Sequence, residues 1–227
     1  MSSPVSLGQS LVEIVASRPG AARVLRSYGL DYSCEGGRSL AQACEGCDVD
    51  PVEVRRALIA ARAEPDDVGD WTERPLDELV AHIKERYHER HRVDLPYLID
   101  LAHRVEKRHG HREDCPRGLE HLLVHLREEL EGHLDEEEQV VFPLVLNGAK
   151  DGLTPRSFAA ARSEHDHHLE ALKHARALTG DYAPPAHPCR TWHALMRGLA
   201  DLERDLINHV HLENNLLFPR AAAAGLI

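Results

Sequence analysis

Two stretches of the chain repeat one arrangement of metal-binding side chains. His133-Leu-Asp-Glu-Glu137-Glu-Gln-Val-Val-Phe142-Pro143 and His209-Val-His-Leu-Glu213-Asn-Asn-Leu-Leu-Phe218-Pro219 share His-x3-Glu-x4-Phe-Pro, 76 residues apart. Upstream, Leu119, Leu123, Leu126 and Leu130 hold the same offsets from His133 as Leu195, Leu199, Leu202 and Leu206 hold from His209. The match is therefore a duplicated segment and not one short motif met twice. A weaker pair, His88-Glu-Arg-His91 and His165-Asp-His-His168, recurs 77 residues apart, with Leu95 and Leu172 each seven positions beyond the first histidine. The chain reads as two copies of a helix pair.

Helical periodicity says where these side chains point. Leu119, Leu123, Leu126, Leu130, His133, Glu137, Val140 and Leu144 step by four and three along one face, as do Leu195, Leu199, Leu202, Leu206, His209, Glu213 and Leu216. The histidines and glutamates thus occupy core positions. An ionised glutamate in an apolar core costs several kcal/mol without a partner, against a domain stability of roughly 5–15 kcal/mol. The groups at the same level of each stripe are imidazoles, not arginines or lysines, so a metal cation is the better partner; iron, manganese and zinc all accept this nitrogen and oxygen set. Four imidazoles, two bridging carboxylates and one shared oxo or hydroxo group would make each of two metals five-coordinate, leaving a position for a small ligand. The candidate ligands are His88, His133, Glu137, His165, His209 and Glu213. His91 and His168 face nearly the same way and read as core or supporting residues, while Glu129 and Glu164 could orient a ligand or line a route to the site.

Four long helical segments must carry these residues, roughly 75–109, 117–147, 155–179 and 188–221, joined through Gly- and Pro-containing connections. They predict an all-α, up-down-up-down four-helix bundle over residues 74–227, with Pro96 kinking or interrupting the first segment. Residues 1–64 read as a small domain of short helices. Its last helix starts at Asp50-Pro51-Val52-Glu53, an N-cap with proline at the first turn and a carboxylate three residues on, and runs to about Arg62. Glu64-Pro65-Asp66-Asp67-Val68-Gly69-Asp70 breaks the pattern and places a linker at 65–73.

The formal charge of −11 and the lack of a basic patch argue against nucleic-acid binding. No run is long and apolar enough for a bilayer, and the N-terminus lacks a signal-peptide pattern, so the expected location is the cytoplasm, with no membrane partner. Cys34, Cys44, Cys47, Cys115 and Cys189 are odd in number and scattered, and read as reduced thiols. Cys44-Glu-Gly-Cys47 is a single C-x2-C without a second pair. Nothing in the pattern chooses between a monomer and a homodimer.

Arg86-Tyr87-His88-Glu89-Arg90-His91-Arg92, the segment from His133 to Pro143, Ser163-Glu164-His165-Asp166 and the segment from His209 to Pro219 closely resemble the bacterial repair-of-iron-centres proteins, which are hemerythrin-like di-iron proteins of the nitrosative and oxidative stress response. The resemblance implies two iron ions in an oxo- or hydroxo-bridged centre, with His88 and His209 on one ion, His133 and His165 on the other, and Glu137 and Glu213 bridging. It also implies repair of damaged iron–sulfur clusters in client proteins, by iron donation among other routes, and binding of nitric oxide or oxygen, including nitric oxide reductase-type activity. Tyr28-Gly-Leu-Asp31-Tyr32-Ser33-Cys34-Glu35-Gly36-Gly37-Arg38-Ser39-Leu40 resembles the small N-terminal domain, of ScdA type, that precedes the bundle in this family. The family usually has two adjacent cysteines there, whereas this chain has Ser33-Cys34. Cys34 is the candidate redox thiol, with Cys44 and Cys47 as candidates to replace the missing one.

Three readings stand open at this stage. They are a di-iron repair protein, a hemerythrin-like oxygen or nitric oxide sensor that turns nothing over, and a helical scaffold around structural zinc.

Overall fold

The computed structural model describes residues 5–62, 71–147 and 155–226, with side chains from residue 160 onward in the last of these. All the regular elements of the described residues are helices, with no strand beyond an isolated bridge between Ser10 and Ser39. The expected break and most of the expected linker at 65–73 lie outside the described residues.

Four short helices form the N-terminal unit: α1 (Leu11–Ser17), α2 (Ala21–Ser27), α3 (Leu40–Gly46) and α4 (Pro51–Ala60). Ser10 with Glu13 and Ser39 with Gln42 close reciprocal capping boxes at α1 and α3, satisfying backbone donors that the first turn leaves open. Asp50 caps α4 through the Val52 N–H, with Pro51 in the first turn. Glu53 closes no box there and instead accepts from the Tyr28 hydroxyl at 3.1 Å.

Four rods form the bundle. The first joins α5 (Leu76–Ile83) to α6 (Glu89–His109) through a π turn at Lys84–His88. The second joins α7 (Leu119–Glu136) to α8 (Phe142–Asn147) through a π turn at Glu137–Val141, the third is α9 (Pro155–Leu178), and the fourth joins α10 (Arg190–Leu212) to α11 (Phe218–Ala223) through a π turn at Glu213–Leu217. The first rod packs on the second and fourth, and the third packs on the same two, which closes the bundle. The first rod is not interrupted at Pro96: α6 continues through it. Pro96 is exposed, so water can solvate the carbonyl that its missing N–H leaves free.

The π turns correct the expected stripe. Val140 is 47 % exposed, while Val141 and Val145 are buried. One extra residue in the turn rotates everything after Glu137 by about one position, so the core face moves from Val140 and Leu144 to Val141 and Val145. In the fourth rod Leu216 stays buried, joined by Leu217 and Ala221.

The apolar core is split by a polar layer. One cluster holds the N-terminal unit (Leu11, Leu25, Tyr32, Leu58) together with the near end of the bundle, including Ile83, Tyr87, Phe142, Leu217 and Phe218. The other fills the far end from Leu95, Leu126, Leu172 and Leu199. Between them lie His88, His91, His133, Glu137, His165, His168, His209 and Glu213, all at most 5 % exposed. The N-terminal unit thus packs on the site end of the bundle, where Tyr32 Oη donates to Asn208 Oδ1 at 2.7 Å.

Candidate metal centre

All six expected ligands meet in the polar layer, as two groups that could each hold a cation: His88, His209, Glu137 and Glu213, and His133, His165, Glu137 and Glu213. Within each group the ligand atoms lie within 4.8 Å of one another. Each carboxylate divides its oxygens between the groups. Glu137 turns Oε2 to His88 Nε2 (3.5 Å) and Oε1 to His133 and His165 Nε2 (3.3 and 3.8 Å). Glu213 turns Oε1 to His209 Nε2 (3.1 Å) and Oε2 to His165 Nε2 (3.1 Å).

The outer nitrogens set the inner ones. His88 Nδ1 meets Glu138 Oε1 at 2.9 Å, His133 Nδ1 meets Glu164 Oε2 at 2.7 Å, and His165 Nδ1 meets Asn214 Oδ1 at 3.1 Å. These oxygens accept, so each Nδ1 carries the proton and each Nε2 turns its lone pair inward. Inside, His88 and His209 Nε2 stand 3.0 Å apart, as do His133 and His165 Nε2. Facing lone pairs at that distance repel unless a proton or cation lies between them. Two nitrogens bound at ~2.0–2.1 Å to one metal at near right angles would stand about 3 Å apart. Both oxygens of Glu137 and Oε2 of Glu213 are buried and receive no aligned hydrogen bond, although imidazoles lie near them. Buried carboxylate oxygens without aligned donors, facing imidazole lone pairs, fit a bound cation.

In the metal-free protein, protons must take the cation's place. Burial alone would lower the imidazoles of His133 and His165, but the Glu137 and Glu213 carboxylates outweigh it and raise them to about 9 and about 10. Burial would likewise raise Glu213, yet the surrounding histidines hold it well below the usual carboxylate range. For His209 burial wins, and its imidazole falls below the ordinary value.

His91 and His168 stay outside both groups. Burial, reinforced by neighbouring histidines, lowers both, His168 to about 3. Both ring nitrogens of His91 and Nδ1 of His168 have no hydrogen-bond partner. Of the two carboxylates singled out near the ligands, Glu164 backs His133, whereas Glu129 is exposed. The sequence reading missed Glu138 and Asn214, although each directly follows a core glutamate at the same offset in the repeat.

Cys34 is half-buried, with Asn214 Nδ2 at 3.9 Å from its sulfur. Burial, then Asp31 and a hydrogen bond to Asp166, push its thiol far above the ordinary range, which keeps it protonated. Cys44 is buried in α3 and Cys47 caps that helix exposed; among the described residues all five cysteines are free and none joins a metal-ligand group.

Comparison with known proteins agrees with this architecture. Residues 79–221 match the hemerythrin HHE cation binding domain, and residues 7–62 match ScdA_N, a domain of unknown function. The chain is 42 % identical over 211 residues to a protein of Edwardsiella ictaluri named iron-sulfur cluster repair protein YtfE, covering 93 % of this chain and 95 % of that one. Proteins of the same name from Yersinia pseudotuberculosis (38 % over 213 residues, 94 % and 96 % covered) and Escherichia coli K12 (41 % over 216 residues, 95 % and 97 % covered) match as fully. With both segments matched and relatives at about 40 % identity along nearly its whole length, the chain belongs to the hemerythrin-domain family that includes the iron-sulfur cluster repair proteins YtfE.

Proposed function

We propose that this chain repairs damaged iron–sulfur clusters by means of two iron ions in its bundle, His88 and His209 holding one, His133 and His165 the other, and Glu137 and Glu213 bridging them. The observation that carries the reading is the division of oxygens, since each buried carboxylate offers one oxygen to each histidine pair. The repair role draws on the relatives, which carry that function in their name and align over more than nine tenths of the chain. No helix of the described residues is long and apolar enough to cross a membrane, which is compatible with clients in the cytoplasm.

Bound iron would supply a redox-active cation with a position open to a small ligand such as nitric oxide or oxygen. The chain's own residues then do three things. Glu138, Glu164 and Asn214 hold the imidazoles with their lone pairs inward. The two apolar clusters exclude bulk water from either side of the polar layer. Tyr87 stacks on His209, with ring centres 5.7 Å apart, and fixes the ring that has no partner at Nδ1.

Metal content of protein purified without added metal, followed by incubation with a client whose [4Fe–4S] cluster nitric oxide has damaged, tests the proposal. The expected result is about two irons per chain and recovery of the client's cluster absorbance only with the iron-loaded chain. Zinc in place of iron, or no recovery with iron present, would overturn it. Nitric oxide uptake that stops at stoichiometric binding, with no repair, would leave the sensor reading in its place.

A further inference from the structure

The repeat makes two positions comparable that lie outside the ligand set. Glu138 and Asn214 each follow a core glutamate, and each reaches the outer nitrogen of the histidine on the preceding rod, His88 at 2.9 Å and His165 at 3.1 Å. Their surroundings differ. Glu138 is 23 % exposed and also accepts from Arg92 Nη1 at 2.7 Å. Asn214 is 3 % exposed; its backbone carbonyl accepts from Arg162 Nη2 at 2.9 Å, and its side-chain nitrogen points at Cys34 Sγ.

The next residue completes a clamp. Asn215 Nδ2 donates to the carbonyls of Tyr32 at 3.1 Å and Ser33 at 2.8 Å. Gly36 lets the loop come this close, since a Cβ there would stand 2.6 Å from Asn215 Oδ1. Asn214 and Asn215 together hold the Tyr32–Gly36 loop against the fourth rod. In the first copy, the equivalent residue to Asn215 is Gln139, which is exposed.

The polarity of the chain of contacts is fixed. The Cys34 sulfur stands as acceptor opposite the Asn214 side-chain N–H, 3.9 Å away. The Asn214 oxygen accepts from His165 Nδ1, whose Nε2 faces the polar layer. An amide donates to the sulfur through its nitrogen while accepting from the imidazole through its oxygen, which an ionised carboxylate cannot do. A carboxylate at 214, like the one at 138, would remove the N–H that points at the sulfur and would add a charge in a buried place.

We propose that Asn214 is a positioning residue that couples the N-terminal unit to the metal centre, holding the Cys34 sulfur with its N–H and His165 with its oxygen, so that a change at Cys34 is felt at His165. The coupling rests on the metal-centre reading above. A substituent on Cys34, or its loss, turns the amide and with it the imidazole. The second helix pair therefore answers to the state of Cys34 through Asn214, a contact that Glu138 does not make in the first.

The test uses the full chain loaded with iron and reads chelator competition and the visible spectrum for Cys34→Ala, Asn214→Leu and the double variant. Asn214→Leu is expected to weaken iron retention about 10-fold, as loss of a ligand's outer partner does, and Cys34→Ala, one contact further out, roughly 3-fold. The double variant should match Asn214→Leu alone, because without the amide nothing carries the change inward. Asn214→Asp keeps the shape and the acceptor, and carries the test if the leucine variant does not fold; it should bind iron and no longer respond to Cys34→Ala. Additive losses, or a Cys34→Ala spectrum and retention identical to wild type, overturn the coupling while leaving the iron centre standing. A wild-type chain that takes up no iron overturns the metal-centre reading and the coupling with it.

Discussion

In the first helix pair the outer nitrogen of His88 meets Glu138, a carboxylate near solvent that Arg92 also holds; in the second, the equivalent nitrogen of His165 meets Asn214, buried beneath the loop of the N-terminal unit. The remaining pair differs too. His133 Nδ1 is backed by Glu164, whose side chain is 46 % exposed, whereas His209 Nδ1 has no partner and lies against Tyr87. The repeat thus preserves the inward-facing groups and lets the outward-facing ones follow their surroundings. A carboxylate at the surface keeps water and a guanidinium; under a protein cover the same charge needs full compensation, and a neutral amide avoids that demand.

The sharpest way to break the comparison is to remove one bridge at a time. Glu137→Ala and Glu213→Ala should lose iron to the same extent, on the order of 100-fold or more in chelator competition, because each carboxylate serves both histidine pairs. Retention of two coupled irons in either variant would show that the halves are not joined through that residue.

Next in size is the pH response of the metal-free chain, which draws on one histidine from each half. His133 and His165 are raised in the folded state to about 9 and about 10. Their contribution is fully present below the unfolded value near 6.5 and is lost as pH rises through the folded values. Metal-free protein should therefore melt lower at pH 10 than at pH 7, on the order of 5 °C, while iron-loaded protein should change much less over that window. A flat metal-free curve would mean that the cluster is not compensated by protons on these two rings.

Glu138→Gln and Glu164→Gln compare the two carboxylate supports directly. Each is expected to weaken iron retention about 10-fold, Glu138→Gln the more, since Glu138 is the less exposed of the two. Equal effects would show that exposure does not grade these supports.

Smaller effects test the π turn and the N-terminal cover. Val141→Ala should destabilise by about 1–2 kcal/mol, whereas Val140→Ala should stay within about 0.5 kcal/mol by denaturant unfolding; the reverse order would restore an unbroken helical stripe. Tyr32→Phe removes the hydroxyl that reaches Asn208 and should cost about 1 kcal/mol without altering iron retention.

The candidate ligands were legible because their identities are their chemistry. His133, Glu137, His209 and Glu213 recur at one spacing inside a leucine stripe, and that is enough to place them inward. The rods were legible for the same reason, within a few residues of their ends. The π turns were not, because a fixed helical period cannot register one inserted residue; Val140 and Val141 are both valines, and only packing tells which one faces the core. Glu138 and Asn214 escaped for a different reason. As residue types they are ordinary surface side chains, and what distinguishes them is a nitrogen on the neighbouring rod.

The amino-acid sequence alone determined four amphipathic rods, the duplication, and six candidate metal-binding side chains on inward faces, since periodicity and residue type are local properties. Tertiary structure alone decided how each carboxylate divides its oxygens, which groups hold the outer imidazole nitrogens, and that the N-terminal unit shares a core with the site end of the bundle. Those facts depend on distances between segments far apart in the chain, which packing sets and no local pattern encodes.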